Sequence, residues 1–161
     1  MGATGPEGFR RHDHDGCIAG ALAVAEGRCA SRKVRLTAVR RRVLEILLQE
    51  HRALGAYEIL ERLRTEGLGS QPPVAYRALD FLRAHGLVHR IERVNGFVAC
   101  ADPAADHAPA FMICRGCAAV AECPRAADGA GLDQAARDAG FQIERAVVEA
   151  EGLCPACQPA P

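Results

Sequence analysis

Eight cysteines and six histidines carry most of the chemistry in this 161-residue chain. Four of the cysteines form two Cys-x-x-Cys pairs, Cys114–Cys117 and Cys154–Cys157. Each pair closes a tight loop that presents two sulfurs to one ion. A tetrahedral zinc held by four thiolates needs two such loops brought together. A single pair would serve equally as a redox couple or a reversible disulfide. Two pairs, one at each edge of a small segment, point to structural zinc. Catalysis at that ion is not expected, because four thiolates leave no open position for water. No His-Glu-x-x-His helix is present, and no His has a Glu two residues on, as the zinc deaminases require. The expectation is therefore a protein that is not an enzyme.

Further ligand types lie outside these pairs. His12, His14 and Cys17 are close enough in sequence to share an ion, but they fall on a stretch read as a tail, where ordering costs entropy. Cys29 and Cys123 read as small buried residues or free thiols. The apolar run Cys17–Ala25 is nine residues long and enters Glu26 directly, a poor match to an export signal. No run approaches the roughly 18 apolar residues of a membrane span. A reducing cytoplasm is the expected compartment, and there paired cysteines bind metal more often than they cross-link.

Apolar residues make up 49% of the chain, enough for a packed core, and with no Trp the core is aliphatic. The formal net charge is zero, but it is unevenly spread. Residues 28–93 hold fourteen basic and seven acidic side chains, net +7, which leaves −7 for the remainder. A basic amino-terminal module suits a phosphate backbone, and an acidic second module does not.

The elements that must position these residues follow from apolar periodicity. Residues 1–15 read as a flexible tail, followed by a helix over about 17–31. Thr37 caps a second helix to about His51, with Val39, Val43, Ile46 and Leu47 on one face and Arg40, Arg41 and Arg42 in its first turns. A third helix spans 55–66. Pro72-Pro73 opens a fourth, which Gly86 ends. Strands over 87–92 and 97–100 flank the Asn95-Gly96 turn. Helices followed by a hairpin are the winged helix-turn-helix order. Residues 16–100 are thus expected to form a DNA-binding domain, with 101–109 as a hinge. The remaining segment, 110–161, reads as a small αβ domain: strands over 110–114 and 118–122, a helix over 132–139 and a strand over 141–149. The fold class is α+β. In a winged helix the fourth helix enters the major groove. Arg77 is the candidate for base-edge contact, Tyr76 the alternative or a packing residue, and Arg40, Arg41 and Arg42 are candidates for phosphate.

Several of these segments together resemble the ferric uptake regulator family, in its zinc uptake regulator branch. They are Val34-Arg-Leu-Thr37 before an Arg-rich helix, Gly-Ala-Tyr57-Glu, the run 72–82 (PPVAYRALDFL), Gly86-Leu-Val-His89 and the paired cysteines. The resemblance covers about 29–157. It implies a homodimeric repressor that binds operator DNA when a sensing metal holds its DNA-binding domains closed, with 110–161 as the dimerisation domain. It further implies a regulatory zinc on His89, Cys100, His107 and Glu122, making two zinc ions per subunit with the four-cysteine ion. A thiolate in that set suits zinc better than iron or manganese. Tyr57 is expected to contact bases. Glu61 and Arg64 resemble positions that pair between adjacent dimers on DNA; an ordinary surface ion pair is the other reading. The implied targets are zinc-uptake genes. An iron- or peroxide-responsive regulator is the alternative within the family, though no His-rich run precedes the first cysteine pair. A zinc-bound protein-interaction module is the alternative outside it.

Overall fold

The computed structural model describes residues 7–9, 14–104, 110–123 and 130–159. Its architecture is α+β, a winged helix followed by a small mixed sheet with one helix. Helices α1 (His14–Ser31), α2 (Ala38–Leu48), α3 (Ala56–Thr65) and α4 (Pro72–Ala84) precede a hairpin of β1 (Val88–Ile91) and β2 (Gly96–Ala99). The second part contains β3 (Ala110–Cys114), β4 (Val120–Cys123), α5 (Ala130–Ala139) and β5 (Val148–Gly152).

Local chemistry sets the helix ends. The Thr37 hydroxyl accepts the Arg40 N–H at 3.4 Å and opens α2, and the Glu58 carboxylate accepts the Gly55 N–H at 2.9 Å at the start of α3. Gly86 ends α4 with φ +69, a left-handed conformation that a side chain would strain. Val43, Ile46, Leu47, Ile59, Leu63, Leu79 and Leu82 are fully buried where α2, α3 and α4 meet. Leu22, Ala25 and Cys29 of α1 close over the same core, so Cys29 is a small core residue.

In the second sheet the order is β4-β3-β5, with β3–β4 antiparallel and β3–β5 parallel. A second buried cluster joins Ile91 and Val98 of the hairpin to Phe111, Ile113 and Val120 of this sheet. The two parts therefore share apolar packing, which favours one mutual orientation.

Three segments differ from the sequence expectation. Helix α1 begins at His14, inside the stretch read as a tail, and a 3-10 turn at Glu7–Phe9 packs on β4. Helix α2 ends at Leu48 rather than His51, because His51 to Leu54 is drawn out as an extended edge. The Val120 N–H donates to His51 O at 2.6 Å, and Leu54 pairs with Phe97. The last strand covers Val148–Gly152 rather than 141–149, since its register is set by parallel pairing from Ala110↔Val148 to Cys114↔Gly152.

Candidate metal centres and nucleic-acid face

The parallel register carries the second cysteine pair to the first. Cys114 ends β3, and Cys154 follows β5 two residues after Gly152, the strand partner of Cys114. One sulfur from each of Cys114, Cys117, Cys154 and Cys157 lies within 4.8 Å of all the others. Cys117 and Cys154 sulfurs are 3.7 Å apart. Four thiolates at Zn–S distances of about 2.3 Å place sulfurs about 3.8 Å apart at the corners of a tetrahedron, so the donor set fits zinc. The Cys154 N–H donates to Cys114 Sγ at 3.3 Å. That hydrogen bond, with the Cys117 amide, holds the Cys114 thiol down at about 6. Cys157 is pushed up to about 12 by hydrogen bonds shared with Cys154, Cys117 and Cys114. Crowded sulfurs cannot all ionise without a cation between them. Gly116 keeps the turn tight, since a Cβ there would stand 3.1 Å from Cys157 Cβ and Sγ.

The second cluster joins both halves of the chain. His89 lies on β1, Cys100 immediately follows β2, and Glu122 is on β4; their ligand atoms also lie within 4.8 Å of one another. His89 Nε2 is 3.5 Å from Glu122 Oε1, and Cys100 Sγ is 4.0 Å from the same oxygen. A tetrahedral ion needs edges of about 3.4 Å between nitrogen and oxygen and about 3.5 Å between sulfur and oxygen, so small shifts would complete it. The other carboxylate oxygen, Oε2, accepts the Ala101 N–H at 2.8 Å, which orients Glu122 toward His89 and Cys100. Burial, and then the Glu122 carboxylate, push the Cys100 thiol up to about 12. At neutral pH a metal would have to displace that proton. His107, the fourth residue of the set, lies outside the described residues.

Tyr57 of α3 is 70% exposed, and the adjacent residues Tyr76 and Arg77 of α4 are exposed as well. Among the described residues Arg77 forms no ion pair, which leaves its guanidinium available. The arginines of α2 are more committed. Arg42 forks onto Glu66 at 2.7 and 2.8 Å and reaches Glu45 at 3.0 Å. Arg41 pairs with Glu45 and Glu26. Arg40 donates to Arg35 O and lies 3.6 Å over the Phe81 ring. Glu61 and Arg64 pair with each other at 2.9 Å within α3.

One group has no signal in the sequence. The Glu149 carboxylate on β5 accepts the N–H of Glu92 at 2.6 Å and of Arg93 at 3.0 Å, both in the turn of the wing. Arg93 reaches Glu151 at 2.7 Å, and Arg145 reaches Glu92 at 3.0 Å. More than fifty residues separate each pair, so no local pattern marks them.

The fold and these clusters define a winged-helix protein whose two halves share a set of metal-ligand side chains. The ferric uptake regulator family model matches residues 31–150, and the chain belongs to that family. It is 41% identical over 139 residues to the zinc uptake regulation protein of Escherichia coli (strain K12), covering 84% of this chain and 80% of that protein. The Shigella flexneri protein of the same name matches equally. Among solved structures, a zinc uptake regulator complexed with zinc and DNA superposes with a TM-score of 0.82 at 39% identity, covering 87% of this chain and 94% of the other. Holo XcZur gives 0.77 and apo XcZur 0.50, both at 38% identity and both covering 87% of this chain and 97% of theirs. This chain thus superposes better on the holo form than on the apo form.

Proposed function

We propose that this chain is a zinc-responsive transcriptional repressor that binds operator DNA as a homodimer and controls zinc-uptake genes. The observation that carries this reading is the convergence of His89 and Cys100, from the wing, with Glu122, from the second sheet. Ligands drawn from two parts make their mutual orientation depend on the ion, and an effector acts only through tighter binding to one state. Bound there, zinc would supply bonds between wing and sheet. The chain's own residues do the rest: Glu122 is held by Ala101, and the wing tip is held by Glu149.

In this reading residues 16–100 are the DNA-binding domain, 101–109 the hinge and 110–161 the dimerisation domain. Each subunit takes two zinc ions, a structural one on Cys114, Cys117, Cys154 and Cys157 and a regulatory one completed by His107. Exposed Leu132, Phe141 and Val148 in the second domain are apolar surface suited to a partner subunit. Arg77 and Tyr57 contact the bases, with Tyr76 the alternative contact, and Arg40, Arg41 and Arg42 contact phosphate, Arg41 and Arg42 by exchanging their pairing with Glu26, Glu45 and Glu66. Glu61 and Arg64 are exposed and can exchange their internal pairing for one between neighbouring dimers on DNA. The relatives' named role and the absence of an open zinc position in the four-thiolate cluster support a regulator without enzymatic activity, acting where DNA is, in the cytoplasm.

Fluorescence anisotropy on the DNA upstream of the gene, across buffered free zinc, tests the proposal. Steep zinc-selective binding, lost on chelation, is expected. Binding that ignores zinc, or answers better to iron or manganese, would overturn the assigned effector.

A further inference from the structure

The half-buried side chain of Arg28, on α1, joins two segments that lie 57 and 75 residues further along the chain. Its Nε donates to His85 O at 2.9 Å, and its Nη1 donates to Pro103 O. His85 is the C-cap of α4, and Pro103 follows the metal-ligand residue Cys100 by three positions. We propose that Arg28 is a positioning residue for the zinc response: it ties the stretch just after Cys100 to the end of α4, so that fixing this stretch also fixes α4. This inference rests on the repressor reading above and names a residue that couples its two ends.

The surroundings of Arg28 carry this. Ala25 and Cys29 are buried in the core, so this turn of α1 is a fixed base for the side chain. The last carbonyls of a helix lack intrahelical partners and carry partial negative charge, which suits a guanidinium at the end of α4. Gly86 leaves the room it needs, since a Cβ there would stand 3.1 Å from Arg28 Nη2. The stretch that Nη1 reaches is also the one that meets the second sheet. The Cys100 N–H donates to Leu87 O at 2.9 Å, and the Ala101 N–H donates to Glu122 Oε2 at 2.8 Å. Residues 100–103 are therefore held on one side by Glu122 and on the other by Leu87 and Arg28. Without Arg28, Cys100 keeps its own anchor on Leu87, but the chain after it is no longer bound to α4. A planar guanidinium serves two carbonyls at once through a rigid fork, whereas a lysine ammonium is a single point donor on a flexible stem. Arg28→Lys thus keeps the charge and removes the bridge.

The test compares the full parent chain with Arg28→Lys, measuring affinity for the DNA upstream of the gene at saturating zinc and at buffered zinc low enough to empty the regulatory site. The ratio of the two affinities is the coupling between zinc and DNA. Arg28→Lys is expected to lower that ratio about fivefold or more, within the usual range of such couplings. Its affinity at low zinc, its zinc content and its salt dependence should match the parent, because the charge is kept. Circular dichroism checks that the variant folds. Hydrogen exchange on the parent chain adds a reading that needs no variant: zinc should slow exchange at residues 85–88 together with 100–104. An unchanged ratio in Arg28→Lys overturns the coupling and leaves the zinc response standing. So does slowed exchange confined to 100–104. Affinity lost equally at both zinc levels would make Arg28 a stabilising or phosphate-contacting residue and equally overturn it. A parent chain whose DNA binding ignores zinc fails the repressor reading itself, and the coupling with it.

Discussion

His89 Nε2 stands 3.5 Å from Glu122 Oε1, although the histidine is on the wing and the glutamate on the second sheet. Cys100 closes the same group, and the Ala101 N–H fixes the far carboxylate oxygen. The contact joins the two halves at the point where their packing meets, next to Val98 and Phe111. An ion there would act on orientation rather than on either fold.

Cys100→Ser should therefore keep the four-thiolate zinc and lose zinc-dependent DNA binding. The opposite change, Cys154→Ser, should release the structural ion and unfold the second module, because such sites contribute about 10–16 kcal/mol of apparent binding free energy. Zinc counts and circular dichroism distinguish them. A Cys100→Ser protein that still responds to zinc would place sensing elsewhere.

Glu149 receives two backbone N–H groups from the wing turn without any metal. Hydrogen bonds to a charged acceptor contribute more than neutral ones, reduced here by solvent exposure to about 1 kcal/mol. Glu149→Ala should weaken operator binding at saturating zinc roughly fivefold, with both zinc contents unchanged. Unaltered affinity would mean the wing turn is held by the buried cluster alone.

Arg77→Ala should cost roughly 1–3 kcal/mol in binding to the operator and much less on unrelated DNA. Competition anisotropy separates the two. An equal loss on both would make Arg77 a phosphate contact.

Acid should destabilise the amino-terminal module through His85. Burial, and then Arg32, Arg40 and Arg28, lower its pKa below the ordinary 6.5. Its Nδ1 has no hydrogen-bond partner among the described residues, and the ring packs on Phe81 at 4.4 Å. The unfolded chain takes up the proton first, so this contribution is complete above pH 6.5 and is lost as pH falls through 6.5 toward the lower folded value. Urea unfolding at pH 7.5 and 5.5 should show a smaller drop for His85→Gln than for the parent chain. Equal drops would show that His85 does not contribute.

Much of this protein was legible in the sequence because the relevant physics is local. Apolar residues at helical spacing, Thr37 as a cap, Pro72 at a helix start and Asn95-Gly96 as a turn act over a few residues. The Cys-x-x-Cys pairs likewise carry their metal chemistry in their spacing. The family resemblance, in turn, drew together His89, Cys100 and Glu122, which no spacing connects. Tertiary structure alone decided what depends on contacts between distant segments. It ended α2 at Leu48 by drawing His51–Leu54 into strand pairing, and it moved the last strand to Val148–Gly152 so that β5 could pair with β3. It also occupied Arg41 and Arg42 with carboxylates of α1, α2 and the residue after α3, and placed Glu149 under the wing turn. These groups meet only once the core has closed, because an ion pair or hydrogen bond between remote residues has no counterpart in either local sequence.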